Sequence, residues 1–235
     1  MIDAIKHEAE SRGIRRLCHL TPSRNLVHIL TGTTGILATK HLQSEERSVF
    51  TAIDLNRLDR HEGYISCSIE YPNVWYFDKA RFRDIIFQDW VVLLIDPKYL
   101  WLPGTRFCPR NAASNYGRDI AEGADKFSSM FAKSVDGSGG RTFNRSYNHL
   151  ACYPTDNQAE VLIPDQIGIS DIIAIAVATE TQAKNEVARL NLLGEPSDRF
   201  NFVIGPTLFK KYELSNLISS GKRPQEILWI ERNET

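Results

Sequence analysis

The chain has 235 residues, 42% of them hydrophobic and 24% charged, and a formal net charge of −1. That length supports one large or two small domains with a sizeable core, and the near-neutral balance argues against coating duplex DNA by charge alone. No apolar run approaches the roughly 20 residues of a membrane helix, the first ten residues show no secretion pattern, and Cys18, Cys67, Cys108 and Cys152 form no CxxC pair, so the expectation is a cytoplasmic protein with reduced thiols.

In chain order, residues 15–20 read as a short strand. Thr21-Pro22 then reads as a helix start, with Thr21 capping and Pro22 at the first helical position. Leu26, Ile29 and Leu30 share one face of that helix, and Gly32 and Gly35 end it in a tight loop. Tyr64 to Glu70 alternates as a half-buried strand that Pro72 stops, and Trp90 to Ile95 reads as a central strand ended by Asp96-Pro97. Residues 111–154 are weakly patterned, with Gly137-Ser138-Gly139-Gly140 as their most flexible-looking part. Two further strands are expected at 159–163 and 171–178, followed by a helix over 180–193 with Val187, Leu190 and Leu193 inward. Beyond Gly194, strands at 200–204 and 227–230 and a helix at 210–219 either complete the sheet or form an appendage. This succession predicts a mixed α/β or α+β fold.

Several common signatures are missing. There is no GxxxxGK[ST] phosphate loop, no HExxH and no GxSxG. The six histidines are scattered and no Cys/His spacing suits zinc. Gly32-Thr33-Thr34-Gly35 is too short for a dinucleotide fingerprint, which excludes a Rossmann-type site. A dispersed polar set remains: His19, Thr21, Asn25, Asn56, Arg57, Asp59, Ser66, Ser68, Asn73 and Glu160. Singly, each has a bland explanation as a strand-end or sheet-surface residue.

Their order carries more. Residues Cys18 to Leu26 (CHLTPSRNL), Asp54 to Asp59 (DLNRLD), Ile65 to Ile69 (ISCSI) with Pro72-Asn73, Trp90 to Leu93 (WVVL), Asn111 to Ser114 (NAAS) and Pro154 to Leu162 (PTDNQAEVL) together resemble the DarT family of toxins that ADP-ribosylate single-stranded DNA. The resemblance spans about residues 15–178. It implies an ADP-ribosyltransferase-like fold of two small, roughly perpendicular β-sheets flanked by helices, occupying residues 1–235 as a single domain. Residues 1–14 would be an N-terminal extension and residues 195–235 a C-terminal segment without an assigned role.

The resemblance also implies NAD as the substrate, no metal, and site residues. His19 and Thr21 would contact the nicotinamide side, and Asn25 would help hold the dinucleotide. Arg57, or the neighbouring Arg60, would be the functional arginine, Ser66 and Ser68 the serine strand, and Glu160 the catalytic glutamate. The chemistry fits these residue types, because breaking the nicotinamide–ribose bond creates an oxocarbenium-like ribose that a fixed carboxylate stabilises. Arg57 could clamp the diphosphate or orient the incoming base. Ser66 would support the cleft wall, and Ser68 would orient Glu160.

The segment before the glutamate carries rings and positive charge, a mixture that commonly holds single-stranded nucleic acid. Phe127 and Phe131, four apart, read as a helix's core face, whereas Arg141, Arg145, Tyr147 and His149 are the nucleic-acid candidates. Residues 54–73 resemble a guanine-modifying branch more than the thymidine-modifying one. Single-stranded DNA is thus the expected acceptor, with RNA or protein as alternatives, as is a catalytically silent nucleic-acid-binding module. A cognate macrodomain antitoxin is the partner the resemblance implies.

Overall fold

The computed structural model describes residues 2–42, 61–82, 88–137, 140–195 and 199–230. Helix α1 (Ile2–Ser11) is followed by strand β1 (Leu17–Pro22), helix α2 (Leu26–Thr31) and the short strand β2 (Ile36–Leu37). Next come β3 (Tyr64–Ile69), α3 (Val74–Ala80), β4 (Trp90–Ile95) and β5 (Arg106–Cys108). The weakly patterned region holds α4 (Ala124–Ser129) and the hairpin of β6 (Ser134–Asp136) and β7 (Thr142–Asn144). The chain continues through β8 (Glu160–Pro164), β9 (Gln166–Ile167), β10 (Ile172–Val177), α5 (Glu180–Leu192), β11 (Phe202–Ile204), α6 (Lys211–Ser219) and β12 (Ile227–Trp229).

Eight strands follow the hydrogen-bonded order β12-β11-β10-β4-β1-β3-β8-β5, with β2–β9 and β6–β7 as separate pairs. Strand β4 is the structural centre. All six of its residues are buried, as its unbroken apolar sequence requires of a strand covered on both faces. It pairs with β1 along six positions, from Leu17↔Ile95 to Pro22↔Trp90.

On the other side of β1 the ladder is much shorter. Strands β1 and β3 pair only at Leu17↔Ile69 and Cys18↔Ser68. The sheet is therefore two halves joined by a narrow seam, with β1, β4, β10, β11 and β12 in one and β3, β8 and β5 in the other. Beyond Cys18 and Ser68 the two strands part, and the side chain of His19 takes over the bridging that backbone no longer supplies.

Most expected elements are present, with corrections at their ends. Thr21 and Pro22 are the last residues of β1, not the start of a helix, which begins at Leu26 after a 3-10 turn. The residue before a proline favours extended backbone, and Pro22 lies past the β1–β3 seam, where its missing N–H breaks no ladder on that side. Leu26, Ile29 and Leu30 are buried as their spacing predicts. Val187 and Leu190 of α5 are buried too, but Leu193 lies past the helix end and is exposed.

The stretch after Gly194 completes the sheet: β11 runs parallel to β10, with α5 as the crossover, and β12 pairs antiparallel to β11. In the glycine-flanked loop, Gly35 has φ 76°, and a side chain there would collide with the Ile167 carbonyl of β9. Its absence lets β2 and β9 meet. Among the described residues no helix is long and apolar enough to cross a membrane.

Candidate active site

Glu160 opens β8, and the register of two neighbouring strands fixes its surroundings. Strand β5 places Cys108 opposite Glu160, so the chain leaving β5 at Asn111-Ala112 passes beside its carboxylate. Strand β3 places Ser66 opposite Leu162, which puts the Ser66 hydroxyl on the same face as Glu160 and one diagonal step away. Both neighbours donate to the carboxylate: the Ala112 N–H to Oε1 at 2.8 Å, and the Ser66 hydroxyl to Oε2 in a short hydrogen bond. Glu160 is itself only partly buried. The carboxylate is held in one orientation at the edge of solvent.

The turn that supplies the Ala112 amide is locally stabilised. The Asn111 side chain accepts from the Ala113 N–H at 3.0 Å, and the Asn111 carbonyl accepts from the Ser114 N–H at 3.0 Å, the Asx pattern expected of such a residue. Asn115 and Tyr116 then adopt left-handed backbone, φ 54° and 55°, which leaves the Tyr116 ring exposed.

On the other side, Asp156 shapes the turn that feeds β8. Its carboxylate accepts from the Gln158 N–H at 2.9 Å, and its carbonyl from the Ala159 N–H at 3.0 Å. Burial lifts the Asp156 carboxyl to about 6, against the opposing pull of the Gln158 N–H and of Arg110.

His19 reaches the same point from β1. Its Nδ1 lies 2.9 Å from the Ser66 carbonyl oxygen. A carbonyl only accepts, so Nδ1 carries the proton, and in the neutral ring Nε2 is the acceptor nitrogen. Ser66 thus joins His19 through its carbonyl and Glu160 through its hydroxyl, across the seam where the strands part. Ser68, expected to orient Glu160, instead points its hydroxyl at the Cys18 carbonyl, 3.4 Å away. It is Ser66, not Ser68, whose hydroxyl touches Glu160.

Thr21 and Asn25 also come together. Asn25 Nδ2 donates to Thr21 Oγ1 at 2.9 Å, and both residues are buried. Asn25 Oδ1 is buried without a hydrogen-bond partner among the described residues. Leaving such an acceptor unsatisfied costs about 1–3 kcal/mol, so it marks a place where a ligand donor is favoured. Arg57, together with Asn56, Asp59 and Arg60, lies outside the described residues.

The four nucleic-acid candidates divide. Arg145 is partly buried and directs its guanidinium at its own loop, donating to the Leu150 carbonyl at 2.6 Å and the Tyr153 carbonyl at 2.8 Å. His149 points Nε2 at the Pro154 carbonyl, 3.1 Å away, and burial together with Arg145 holds its pKa down to about 4. Arg141 and Tyr147 are exposed. Phe127 and Phe131 are core residues in edge-to-face contact at 5.3 Å.

The cysteines offer no competing chemistry. All four are buried and free, and burial, with Glu160 adding to it, pushes Cys108 up to about 12, which keeps it protonated and unreactive. Among the described residues, no three His, Cys, Asp or Glu side chains are grouped as a metal site would require.

This arrangement has clear relatives. Residues 18–201, well over half of the chain, match the family model described as "DarT: ssDNA thymidine ADP-ribosyltransferase, DarT". The chain belongs to the DarT family of single-stranded-DNA ADP-ribosyltransferases. Its fold is similar to that of Thermus sp. 2.9 DarT in complex with ADP-ribosylated ssDNA, with a TM-score of 0.59 at 16% identity over 84% of this chain and 97% of that one. The same enzyme in complex with NAD+ gives a TM-score of 0.56 at 16% identity, over 83% and 97% of the two chains. Thermosipho africanus DarTG in complex with ADP-ribose is similar at a TM-score of 0.50 and 16% identity, over 83% of this chain and 51% of that chain. No curated protein matches the sequence.

The geometry makes two outcomes testable. Ser66→Ala removes one of the carboxylate's two described anchors and should lower turnover by about 10- to 100-fold, the ~1.5–3 kcal/mol of a hydrogen bond to a charged group, with the melting temperature little changed. Activity equal to wild type would show that Ser66 does not position Glu160. Because the folded-state pKa of Asp156 lies above its ordinary 3.8, the native state binds the extra proton between about pH 4 and 6, and stability falls as pH rises through that window. Asp156→Asn should therefore melt at a higher temperature than wild type at pH 7 to 8, with the gap closing near pH 4. A gap independent of pH contradicts the buried-carboxyl assignment.

Proposed function

We propose that this chain is a mono-ADP-ribosyltransferase that cleaves NAD and transfers ADP-ribose to a base in single-stranded DNA, with guanine as the acceptor. The observation that carries the reading is the Glu160 carboxylate, oriented by the Ser66 hydroxyl and the Ala112 amide at the edge of solvent. Loss of nicotinamide takes the bonding electron pair from the ribose anomeric carbon and leaves positive charge there. A carboxylate already fixed beside that carbon stabilises the charge without reorganising as the bond breaks. It also accepts a hydrogen bond from the ribose 2′-hydroxyl. The acceptor nitrogen then attacks the anomeric carbon and gives up its proton, a transfer for which Glu160 is the proposed base.

The remaining residues take roles in binding. His19, whose ring is oriented by the Ser66 carbonyl, is assigned to the nicotinamide side from its place in the family motif. The unsatisfied Asn25 Oδ1, braced through Thr21, supports the dinucleotide from the following turn. Arg57 is assigned to the NAD diphosphate or the incoming base from its place in the family motif. Exposed Arg141, Tyr147 and Tyr116 are the DNA-facing members of the recognition loop, while Arg145 and His149 hold the loop's shape. Guanine is preferred because residues 54–73 resemble the guanine-modifying branch. The family resemblance further supports a toxin restrained by a cognate macrodomain antitoxin that removes ADP-ribose. The free, buried thiols suit a reducing cytoplasm.

The test offers labelled NAD to the purified protein with single-stranded DNA, RNA or a protein extract, and identifies the modified base by mass spectrometry. Label on guanine in DNA is the expected result. Label on thymidine overturns the base assignment alone, and label on RNA or protein overturns the acceptor class. Glu160→Gln should lower transfer by about 100- to 1,000-fold, as loss of one key electrostatic group does, while NAD affinity changes little. Near-normal transfer by that variant would remove Glu160 from the mechanism.

A further inference from the structure

At the amino end of β1, an open cleft of about 410 Å³ is lined by Arg15, Arg16, Arg223 and Glu226, with Tyr71 beside them. Its floor is organised by Glu70, whose side chain is fully buried and whose backbone is left-handed, φ 62°. Glu70 Oε1 accepts from Arg15 at 2.9 Å and from Arg223 at 2.7 Å. One buried carboxylate thus draws two guanidinium groups together. Arg16 is committed separately, in a two-pronged pair with Glu226 at 2.6 Å for each prong. Three arginines face two carboxylates, so the cleft keeps one positive charge in excess. The outer groups carry it, because Arg15 retains 62% of its side-chain exposure and Arg223 retains 42%, whereas Arg16 retains 10%.

Two guanidinium forks converging on one opening match the geometry of a phosphate, which each can hold through paired N–H donors. The position of the cleft identifies the source. By strand alternation and the pairings Cys18↔Ser68 and Cys67↔Val161, Arg16, Cys18, Ser68 and Glu160 share one face of the sheet. A rise of about 3.3 Å per residue and a strand spacing of about 4.8 Å put the backbone of Arg16 roughly 12 Å from that of Glu160. This is too far to touch the reacting atoms, and because Cys18 and Ser68 between them are buried, a strand reaches both places only over several nucleotides.

The charged lining of the cleft comes from outside the span that matches the family model. Arg15, Arg16, Arg223 and Glu226 all lie outside residues 18–201, the part that matches the family model. The extension before β1 and the segment after α6 meet there.

We propose that Arg15 and Arg223 bind a backbone phosphate of the single-stranded nucleic acid, several nucleotides away from the one modified beside Glu160. The inference rests on the nucleic-acid acceptor proposed above. The test measures binding of fluorescent single-stranded oligonucleotides of about three and about twelve nucleotides, a range that brackets common single-strand site sizes, to wild type and to Arg15→Gln/Arg223→Gln. The variant should bind the long oligonucleotide about tenfold more weakly, the loss expected of a charge-assisted hydrogen bond. Its logarithmic salt dependence should be shallower by about 0.7 for each phosphate that is no longer neutralised. Binding of the short oligonucleotide and of NAD should stay unchanged, which also reports a folded protein. Unchanged binding of the long oligonucleotide overturns the proposal, as does equal weakening for both lengths, the mark of a purely structural network. Weakened NAD binding overturns it in favour of the dinucleotide's diphosphate. Wild-type protein that binds the long oligonucleotide but transfers no ADP-ribose to it would refute the acceptor reading and leave the phosphate site standing.

Discussion

The site depends on one residue placed where two strands part. Ser66 sits just past the point at which β1 and β3 stop pairing, so its carbonyl is free of the ladder to β1 and accepts the His19 ring instead. Its hydroxyl, on the other side, orients the Glu160 carboxylate. Had β1 and β3 stayed paired to their ends, backbone donors of β1 would have occupied the face where His19 now reaches across. The narrow seam therefore creates an opening and wires its two walls together. The Ala112 amide completes the hold on Glu160 from the β5 side, and because that donor is backbone, the β5–β8 register and the Asn111 turn together set its place.

The C-terminal segment bears on this geometry at a distance. Helix α6 holds the chain that leads into β8: the Ser146 hydroxyl donates to the Ser219 carbonyl at 2.6 Å, and the Leu150 N–H to the Ile218 carbonyl at 3.0 Å. Asn157 and Trp75 both turn toward the Ser215 hydroxyl. Arg145 closes the same loop from within. Loops are positioned by rigid elements beneath them, and here that element lies beyond the span matched by the family model. The strands β11 and β12 tie the helix to the main sheet.

The elements with strong patterns are legible in the sequence. Strand β4 is an unbroken apolar run, and α5 has its buried residues at helical spacing, so burial and periodicity agree in both. The sequence misleads where tertiary contacts outvote a local signal. Thr21-Pro22 has the composition of a helix start, but pairing with Val91 and Trp90 keeps it extended. At the site, the order of motifs locates Glu160, His19 and Ser66. The hub role of Ser66 stays hidden, because it depends on which of two alternating serines faces Glu160 across a register that no single strand encodes. Ala112 is invisible for a simpler reason: its contribution is an N–H that every residue but proline carries. Arg145 has the charge of a nucleic-acid contact beside a glycine-rich loop, whereas in the fold its donors are directed at carbonyls of that loop.

In the proposed reaction, the carboxylate fixed by Ser66 and Ala112 faces the carbon at which NAD is cleaved. A crystal structure of the protein with a hydrolysis-resistant NAD analogue tests it most directly. A Glu160 oxygen should then lie within hydrogen-bond distance, about 2.5–3.0 Å, of the 2′-hydroxyl on the nicotinamide-bearing ribose, with the carboxamide beside His19. An analogue bound with that ribose beyond contact of Glu160, or seated in another part of the molecule, would contradict it.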